Sequence, residues 1–329
     1  MLPRLLRRRL LHRLQTDHPA CFAGVGAMRP PHPVQTALIQ TADSSRLRCG
    51  RFELTLKRPL VMGVLNLTPD SFSDGGRWSD TGSAVEHATA MIDDGADLID
   101  LGAESTRPGA PIVPADLELS QLVPVIRALA DCGRPLSVDT RKPQVMRAVL
   151  DLGVDMINDV SGFSDPQAIA AVSDSRAACC VMHMLGDPLT MQQDPVYRDV
   201  VREVRQMLAD RADALQAAGI DRSRIVIDPG IGFGKTLEHN LALLASLPGL
   251  VALGLPVLVG VSRKSMLGAL TGRAVDRRLP ASLAAMLAAV AGGAHIVRVH
   301  DVPETVDALR VWQAIRDANH STGNTIGQR

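Results

Sequence analysis

Residues 61–76 read VMGVLNLTPDSFSDGG. Four apolar residues and a glycine, the composition of a buried parallel strand, run into an uncharged amide at Asn66. After it come Thr68, Pro69, Asp70, Ser71, Ser73, Asp74, Gly75 and Gly76, residues that interrupt regular structure over a longer span than an ordinary strand-to-helix turn needs. A buried strand that ends on a polar group and opens into a long loop is a unit of barrel architecture, provided it recurs.

It does recur. VMGVLN (61–66), DLIDLG (97–102), PLSVD (135–139), DMIND (155–159), CCVMH (179–183), RIVID (224–228), VLVGVS (257–262) and HIVRVH (295–300) are all short apolar runs closing on polar residues. Between them, apolar residues fall three and four apart, as on a helix face. Val85, Ala88 and Ile92 make one face, and Leu122, Val125, Ile126 and Leu129 another. Val145, Val149 and Leu152, the 196–218 segment, and Leu283, Met286, Leu287 and Val290 continue the series. Pro143 and Pro303 open helices, and Gly95, Gly153, Gly219 and Gly292 follow them. Eight such units over about 260 residues predict an α/β fold of the TIM (β/α)8 type rather than an open doubly wound sheet. No glycine-rich dinucleotide fingerprint follows the first strand. RLRCGRFELTLKR (46–58) alternates around a glycine and predicts an N-terminal β-hairpin capping the bottom of the barrel.

The expected organisation is a poorly ordered basic extension over 1–45, a barrel over 46–318 and a flexible tail over 319–329. MLPRLLRRRLLHRL carries arginines and leucines with no acid before Asp17. Such a segment suits a targeting helix, but a disordered extension, or translation from Met28, is the plainer reading. The 329 residues are 46% hydrophobic and 21% charged, enough for a large core. A formal net charge of zero argues against nucleic acid as a partner. No apolar run approaches the roughly 18 residues of a membrane span. Five cysteines without a CxxC pair argue against a disulfide framework or zinc site and fit a reducing cytoplasm. Only four of the thirty-five basic residues are lysines. Three of them, Lys142, Lys235 and Lys264, stand beside polar clusters, as either chance or a need that a guanidinium would not serve would place them.

In a barrel, chemistry gathers at the carboxyl ends of the strands. Those positions hold Asn66; Glu104, Thr106 and Arg107; Asp139; Asn158; His183; Asp228; Ser262, Arg263 and Lys264; and Arg298 and His300. A single such acid is more often a helix cap, the expected role of Asp159 and Thr140. A polar group on every strand is a different matter. Asp139, Asn158 and Asp228 facing one mouth call for a ligand rich in N–H donors, because an unpaired buried carboxylate costs several kcal/mol. Lys264 offers the opposite polarity. Arg298 and His300 form an anion site where barrels commonly bind phosphate. The residues thus predict a small, flat, donor-bearing heterocycle with a phosphate group beside it, its faces touched by Phe233 and by Met182, for which core packing is an equal alternative. DPGIGFGKT (228–236) is not a P-loop, since three residues rather than four separate Gly230 from Gly234. Its glycines are expected to let the backbone approach a flat ligand.

NLTPDSFSDGG, LGAESTRPGA, SVDTRKP, INDVSG, VMHMLGDP, IDPGIGFGKT, VGVSRKSMLG and RVHDV, in this order, resemble the motifs of the dihydropteroate synthase family, from about residue 47 to 318. The resemblance implies a TIM barrel, a cytoplasmic homodimer, and a transferase of folate biosynthesis. Its small-molecule substrates are 6-hydroxymethyl-7,8-dihydropterin diphosphate and p-aminobenzoate, with no nucleic acid or membrane partner. It assigns Asp139, Asn158, Asp228 and Lys264 to the pterin ring, and Arg298 and His300, with Thr106, to the diphosphate. Asn66 becomes a Mg²⁺ ligand, an amide oxygen suited to a hard cation. Phe72, Arg107, Pro108 and Ser265 shape the p-aminobenzoate pocket, and Asp74 is positioned to offset cationic charge during reaction. Two rival readings share the barrel. A corrinoid-type methyltetrahydrofolate methyltransferase would keep the pterin set and lack the diphosphate set. An inactive pterin-binding paralogue would lose the loop residues. Here both sets of letters are intact. A Schiff-base aldolase using Lys264 leaves the acidic and amide groups unexplained.

Overall fold

The computed structural model describes residues 45–67, 81–105 and 110–323, with side chains as far as residue 318. The hairpin is present as β1 (Arg46–Cys49) paired antiparallel with β2 (Phe52–Thr55). The barrel strands are β3 (Leu60–Asn66), β4 (Leu98–Gly102), β5 (Leu136–Asp139), β6 (Met156–Asp159), β7 (Ala178–Met182), β8 (Ile225–Asp228), β9 (Leu258–Val259) and β10 (Ile296–Val299). All pair in parallel, in the order β8-β7-β6-β5-β4-β3-β10-β9. A parallel bridge between Ile227 and Val257, with Ile227 N–H donating to the Pro256 carbonyl at 2.9 Å, joins the two ends and closes the barrel. Outside lie α1 (Thr81–Asp93), α2 (Ala115–Leu129), α3 (Pro143–Asp151), α4 (Pro166–Ser173), α5 (Val200–Ala217), α6 (Leu237–Ala245), α7 (Leu247–Val251), α8 (Ser265–Thr271), α9 (Leu279–Ala291) and α10 (Val302–Gly323).

Two details differ from the sequence expectation. The 257–262 run yields only the short β9, because the chain leaves the ladder at Gly260 and turns through Arg263, whose φ is 59°. On α1 the buried face is Ala84, Ala88 and Met91, with Val85 and Ile92 half-buried. The rotation follows from packing: a Cβ at Gly63 would lie 2.8 Å from the Met91 sulfur, so the helix seats its methionine in the gap that glycine leaves on β3.

Strand alternation divides the core in two. Leu60, Met62, Leu98, Met156, Ala178, Cys180, Val226, Leu258 and Ile296 point inward, joined by Leu47, Cys49 and Leu56 from the hairpin region. Their neighbours, among them Val61, Ile99, Val138, Ile157, Val181, Ile227 and Val297, pack against the helices. Two-residue steps up the inward rows reach Asp100 and Gly102 from Leu98, and Asn158 from Met156. The same steps reach Met182 from Cys180, Asp228 from Val226, and Arg298 from Ile296. The alternation that fills the lower barrel with hydrocarbon therefore lines its upper end with polar groups.

The hairpin plugs the N-terminal end through Asp155, which is fully buried. Its Oδ1 accepts from Arg51 N at 3.0 Å and Arg51 Nε at 3.1 Å, and its Oδ2 from Arg51 Nη2 at 3.0 Å and Leu136 N at 3.1 Å. Gly50, at φ 57°, permits the approach, since a Cβ there would stand 2.4 Å from Asp155 Oδ1. Asp155→Ala would leave two backbone N–H groups and a guanidinium without their acceptor. A loss of about 2–4 kcal/mol in urea unfolding is expected, and an unchanged midpoint would show the plug to be dispensable.

Candidate active site

At the open end of the barrel the first feature is a buried charge network. Arg298, on β10, donates from Nε to Asp100 Oδ2 at 2.7 Å and from Nη2 to Asp139 Oδ2 at 3.1 Å. Asn158 Nδ2 donates to the same Asp100 oxygen at 3.3 Å. Strand register accounts for the meeting: β4, β5 and β6 are neighbours, with Asp139 paired to Gly102 and to Asn158. Arg298 reaches them across the barrel interior. Burial pushes the Asp139 carboxyl up to about 7, with Arg298 opposing and Asp100 reinforcing. Burial tends to lower the Arg298 pKa, but the carboxylates of Asp100 and Asp139 outweigh it and hold the guanidinium firmly protonated. Asp100 Oδ1, Asn158 Oδ1 and Ser137 Oγ are buried without a hydrogen-bond partner. Orphaned acceptors at the head of a barrel are the complement of a donor-rich ligand.

Asp228, at the end of β8, has one oxygen engaged by Gly230 N at 2.7 Å, and burial raises its pKa. Facing it is Lys264, just before α8, its ammonium 4.1 Å from the centre of the Phe233 ring. Burial and Arg298 lower the Lys264 pKa to about 8, against Asp228 and Asp139. Met182 is buried and packs beneath Gly230, whose Cβ would meet Met182 Cγ at 3.3 Å. Phe233 is thus occupied with Lys264 and Met182 with the loop. The glycines of the 228–236 loop also serve a purpose other than the one expected. Gly230 and Gly234, at φ 63° and 61°, would set a Cβ 1.9 Å from the His183 carbonyl oxygen and 2.6 Å from that of Leu185. Their bareness lets two loop backbones press together; Gly232 alone lies against Lys264.

On the other side, His300 Nδ1 lies 3.0 Å from Ser262 Oγ, and its backbone N–H donates to the same oxygen at 3.2 Å. Burial and the cations Arg298 and Arg263 push His300 down to about 3, so it meets a ligand as a neutral imidazole. Arg263, in a left-handed backbone conformation, turns outward and pairs with Asp301 through Nε at 3.1 Å. Arg278 holds the bend, donating to the Arg263 carbonyl at 3.1 Å. Ser265 opens α8 beside Lys264 and is exposed. Asn66 ends β3 half-buried opposite Gly102, where a Cβ would lie 3.9 Å from its amide oxygen.

Asn66, Asp139, Asn158, Met182, Asp228, Phe233, Lys264, Ser265, Arg298 and His300 all lie at or next to the carboxyl ends of the strands. Phe72, Asp74, Thr106, Arg107 and Pro108 lie outside the described residues. Sequence reasoning kept Arg298 separate from the carboxylates; the structure pairs it with Asp139. It also passed over Asp100, because that residue sits within an apolar run rather than at its end. The signal was parity: Asp100 and Gly102 share a face of β4, and an acid two residues before an inward-facing strand end points into the same lumen. Asp159 and Thr140 do not cap helices as the sequence suggests: the N-caps of α3 and α4 are Lys142 and Asp165. The two side chains brace turns instead, Asp159 accepting from the Ser161 and Phe163 N–H groups and Thr140 from that of Lys142.

Residues 62–300 match a family described as pterin binding enzyme. The dihydropteroate synthase of Neisseria meningitidis serogroup B is 49% identical over 275 residues, covering 82% of this chain and 96% of that one. That of Escherichia coli is 46% identical over 269 residues, covering 82% and 95%. Among solved structures, the Burkholderia cenocepacia dihydropteroate synthase complexed with 7,8-dihydropteroate superposes with a TM-score of 0.77 at 51% identity, over 84% of this chain and 99% of the other. The Xanthomonas albilineans enzyme with 4-aminobenzoic acid gives 0.78 at 51% identity, over 83% and 98%.

The two shifted groups set a pH window for ligand binding. Below pH 7 Asp139 is protonated and must release its proton before accepting from a ligand N–H. Above pH 8 Lys264 loses the charge that faces an acceptor. Affinity for a flat heterocycle carrying both N–H donors and a carbonyl is expected to rise by up to about tenfold per pH unit towards 7, and to fall above 8. Calorimetric titration across pH 5.5–9 measures it; a flat profile would exclude both groups from ligand contact.

Proposed function

The chain belongs to the pterin-binding enzyme family, among the dihydropteroate synthases, and from that premise we propose how its mouth works. The reaction joins 6-hydroxymethyl-7,8-dihydropterin diphosphate to p-aminobenzoate, releasing diphosphate and forming 7,8-dihydropteroate. The observation that carries this reading is the acceptor-lined wall: Asp139 and Asp228, with the unpartnered oxygens of Asp100 and Asn158, at the head of an otherwise apolar lumen.

The N–H edge of the pterin lies on Asp139 and Asp228, with Asn158 completing the set. Lys264 donates to the ring oxygen and nitrogen from the opposite side, steadied by Phe233. Arg298 has two of its N–H groups committed to Asp100 and Asp139, and its remaining donors are free to turn to the diphosphate. His300, neutral and hydrogen-bonded to Ser262, adds a donor to the same anion, with Thr106. As the carbon–oxygen bond to diphosphate breaks, positive charge spreads from the methylene into the ring. The carboxylates at the N–H edge of the ring stabilise that charge, and the Arg298 cation stabilises the departing anion. Asp74 offsets the same developing charge from the long loop after β3. The aryl amine then attacks in neutral form, so no strong base is needed; Phe72, Arg107, Pro108 and Ser265 form its pocket.

Among the described residues no cluster of three or more His, Cys, Asp or Glu side chains is placed to hold a metal. The site instead offers the neutral amide oxygen of Asn66, beside a strand position left bare by Gly102. That donor fits Mg²⁺ whose other ligands are diphosphate oxygens and water. Bound there, Mg²⁺ would neutralise charge on the leaving group.

The homodimer is proposed from the α9–α10 face. Leu283, Leu287, Ala308, Val311, Trp312 and Ile315 line a groove of about 500 Å³, with Val311 61% and Ile315 60% exposed. Met286 and Val290 of the same helix are buried. No described helix is long and apolar enough to cross a membrane; the cytoplasm, where folate chemistry and reduced cysteines are at home, is the proposed location.

Incubation with the pterin diphosphate, Mg²⁺ and p-aminobenzoate is expected to yield dihydropteroate, and chelation to stop it. Lys264→Ala and Asp228→Asn should each abolish product while far-UV circular dichroism stays native; full turnover by either removes that residue from the site. Light scattering should give twice the chain mass for the wild type and a monomer for Ile315→Asp; a monomeric wild type would refute the dimer.

A further inference from the structure

The loop after β8 raises a problem that the substrate contacts do not solve. Residues 229–236 form no sheet ladder, so their carbonyls need other donors. Two of the donors are backbone N–H groups, Phe233 to the Gly230 carbonyl and Asn240 to that of Thr236, each at 3.1 Å, and the others are side chains outside the ligand set. Lys235 Nζ donates to the carbonyls of Gly230 and Phe233, each at 2.9 Å, and to that of His183 at 3.2 Å. It also lies 2.9 Å from His183 Nδ1. Gln192 Nε2 donates to the Gly232 carbonyl at 2.6 Å, and the Tyr197 hydroxyl to that of Gly234 at 2.8 Å. The loop after β7, which carries His183, Gln192 and Tyr197, thus grips the loop carrying Phe233.

Lys235 is the centre of that grip and is 3% exposed. Three acceptors at 2.9 Å, from two loops, match the three divergent protons of an ammonium. A planar guanidinium aims its donors in one fork and cannot converge on them. This explains why a chain so rich in arginine keeps a lysine here. His183 accepts at Nδ1 and therefore stays neutral, its pKa lowered to about 3 by burial and by Lys235. Lys235 is itself lowered to about 7 by burial, with the Asp228 carboxylate opposing.

We propose that Lys235 is a positioning residue of the reaction: by gathering the Gly230 and Phe233 carbonyls against His183, it holds the Phe233 ring against the Lys264 ammonium and so fixes where the pterin carbonyl docks. It touches no substrate. The proposal rests on the dihydropteroate synthase reading above.

The test uses the full chain, KM values for both substrates and calorimetric titration with 6-hydroxymethylpterin. Lys235→Met should raise the KM of the pterin diphosphate and the Kd of the pterin about tenfold, the cost of a buried carbonyl left unpaired, with the p-aminobenzoate KM within about twofold. Phe233→Leu should do the same. The double variant should be no worse than the more affected single one, because both act through one contact. Lys235→Arg should not rescue. Multiplying effects, equal rises in both KM values, rescue by arginine, or an unchanged pterin KM would each overturn the proposal. A wild type that neither turns over nor binds pterin would instead defeat the parent reading. Should Lys235→Met fail to fold, Tyr197→Phe and Gln192→Ala decide the matter: each removes one grip from the loop and should raise the pterin KM by a smaller factor. No change in either overturns the idea.

Discussion

The Arg298 guanidinium held between the carboxylates of Asp100 and Asp139 constrains everything around it. Burying such charges is tolerable only when they are paired and hydrogen-bonded, which ties β10, β4 and β5 to one geometry at the upper end of the barrel. The pairing leaves acceptor oxygens on Asp100 and Asn158 without donors, and it engages the guanidinium only through Nε and Nη2. A ligand with an N–H edge and an anionic arm answers both at once. On the proposed reading, substrate recognition completes a network that the fold has left partly satisfied.

The lower half of the molecule permits this. Hydrocarbon fills the lumen and the hairpin closes its end through the Arg51–Asp155 clasp. Above that clasp the lumen is largely hydrocarbon, and polar groups gather at the mouth, where strand alternation delivers them.

This arrangement explains which parts were legible in the sequence. Eight apolar runs closing on polar residues announce the barrel, because period-two alternation and burial act on each strand alone. Asn66, Asp139, Asn158, Asp228 and Arg298 follow from the same rule. Asp100 escaped it, being recognisable only through the face it shares with Gly102. The short β9 was hidden because its length is set by Gly260 and the Arg263 turn rather than by hydrophobicity. A further role of the glycines of DPGIGFGKT was hidden for a related reason: what presses on Gly230 and Gly234 is the loop after β7, a neighbour in space and not in sequence. Lysine scarcity did mark Lys142 and Lys235. Their partners, Glu104 and Glu118 for one and His183 for the other, come from distant strands and helices that no local pattern names.

The interlocked loops after β7 and β8 have a thermodynamic consequence. Their backbones touch through bare glycines and their carbonyls are already bonded, so the wall they form stands preorganised before any heterocycle arrives. Little rotamer or backbone entropy remains to be lost there on association, so the ordering cost of binding at this wall is met during folding.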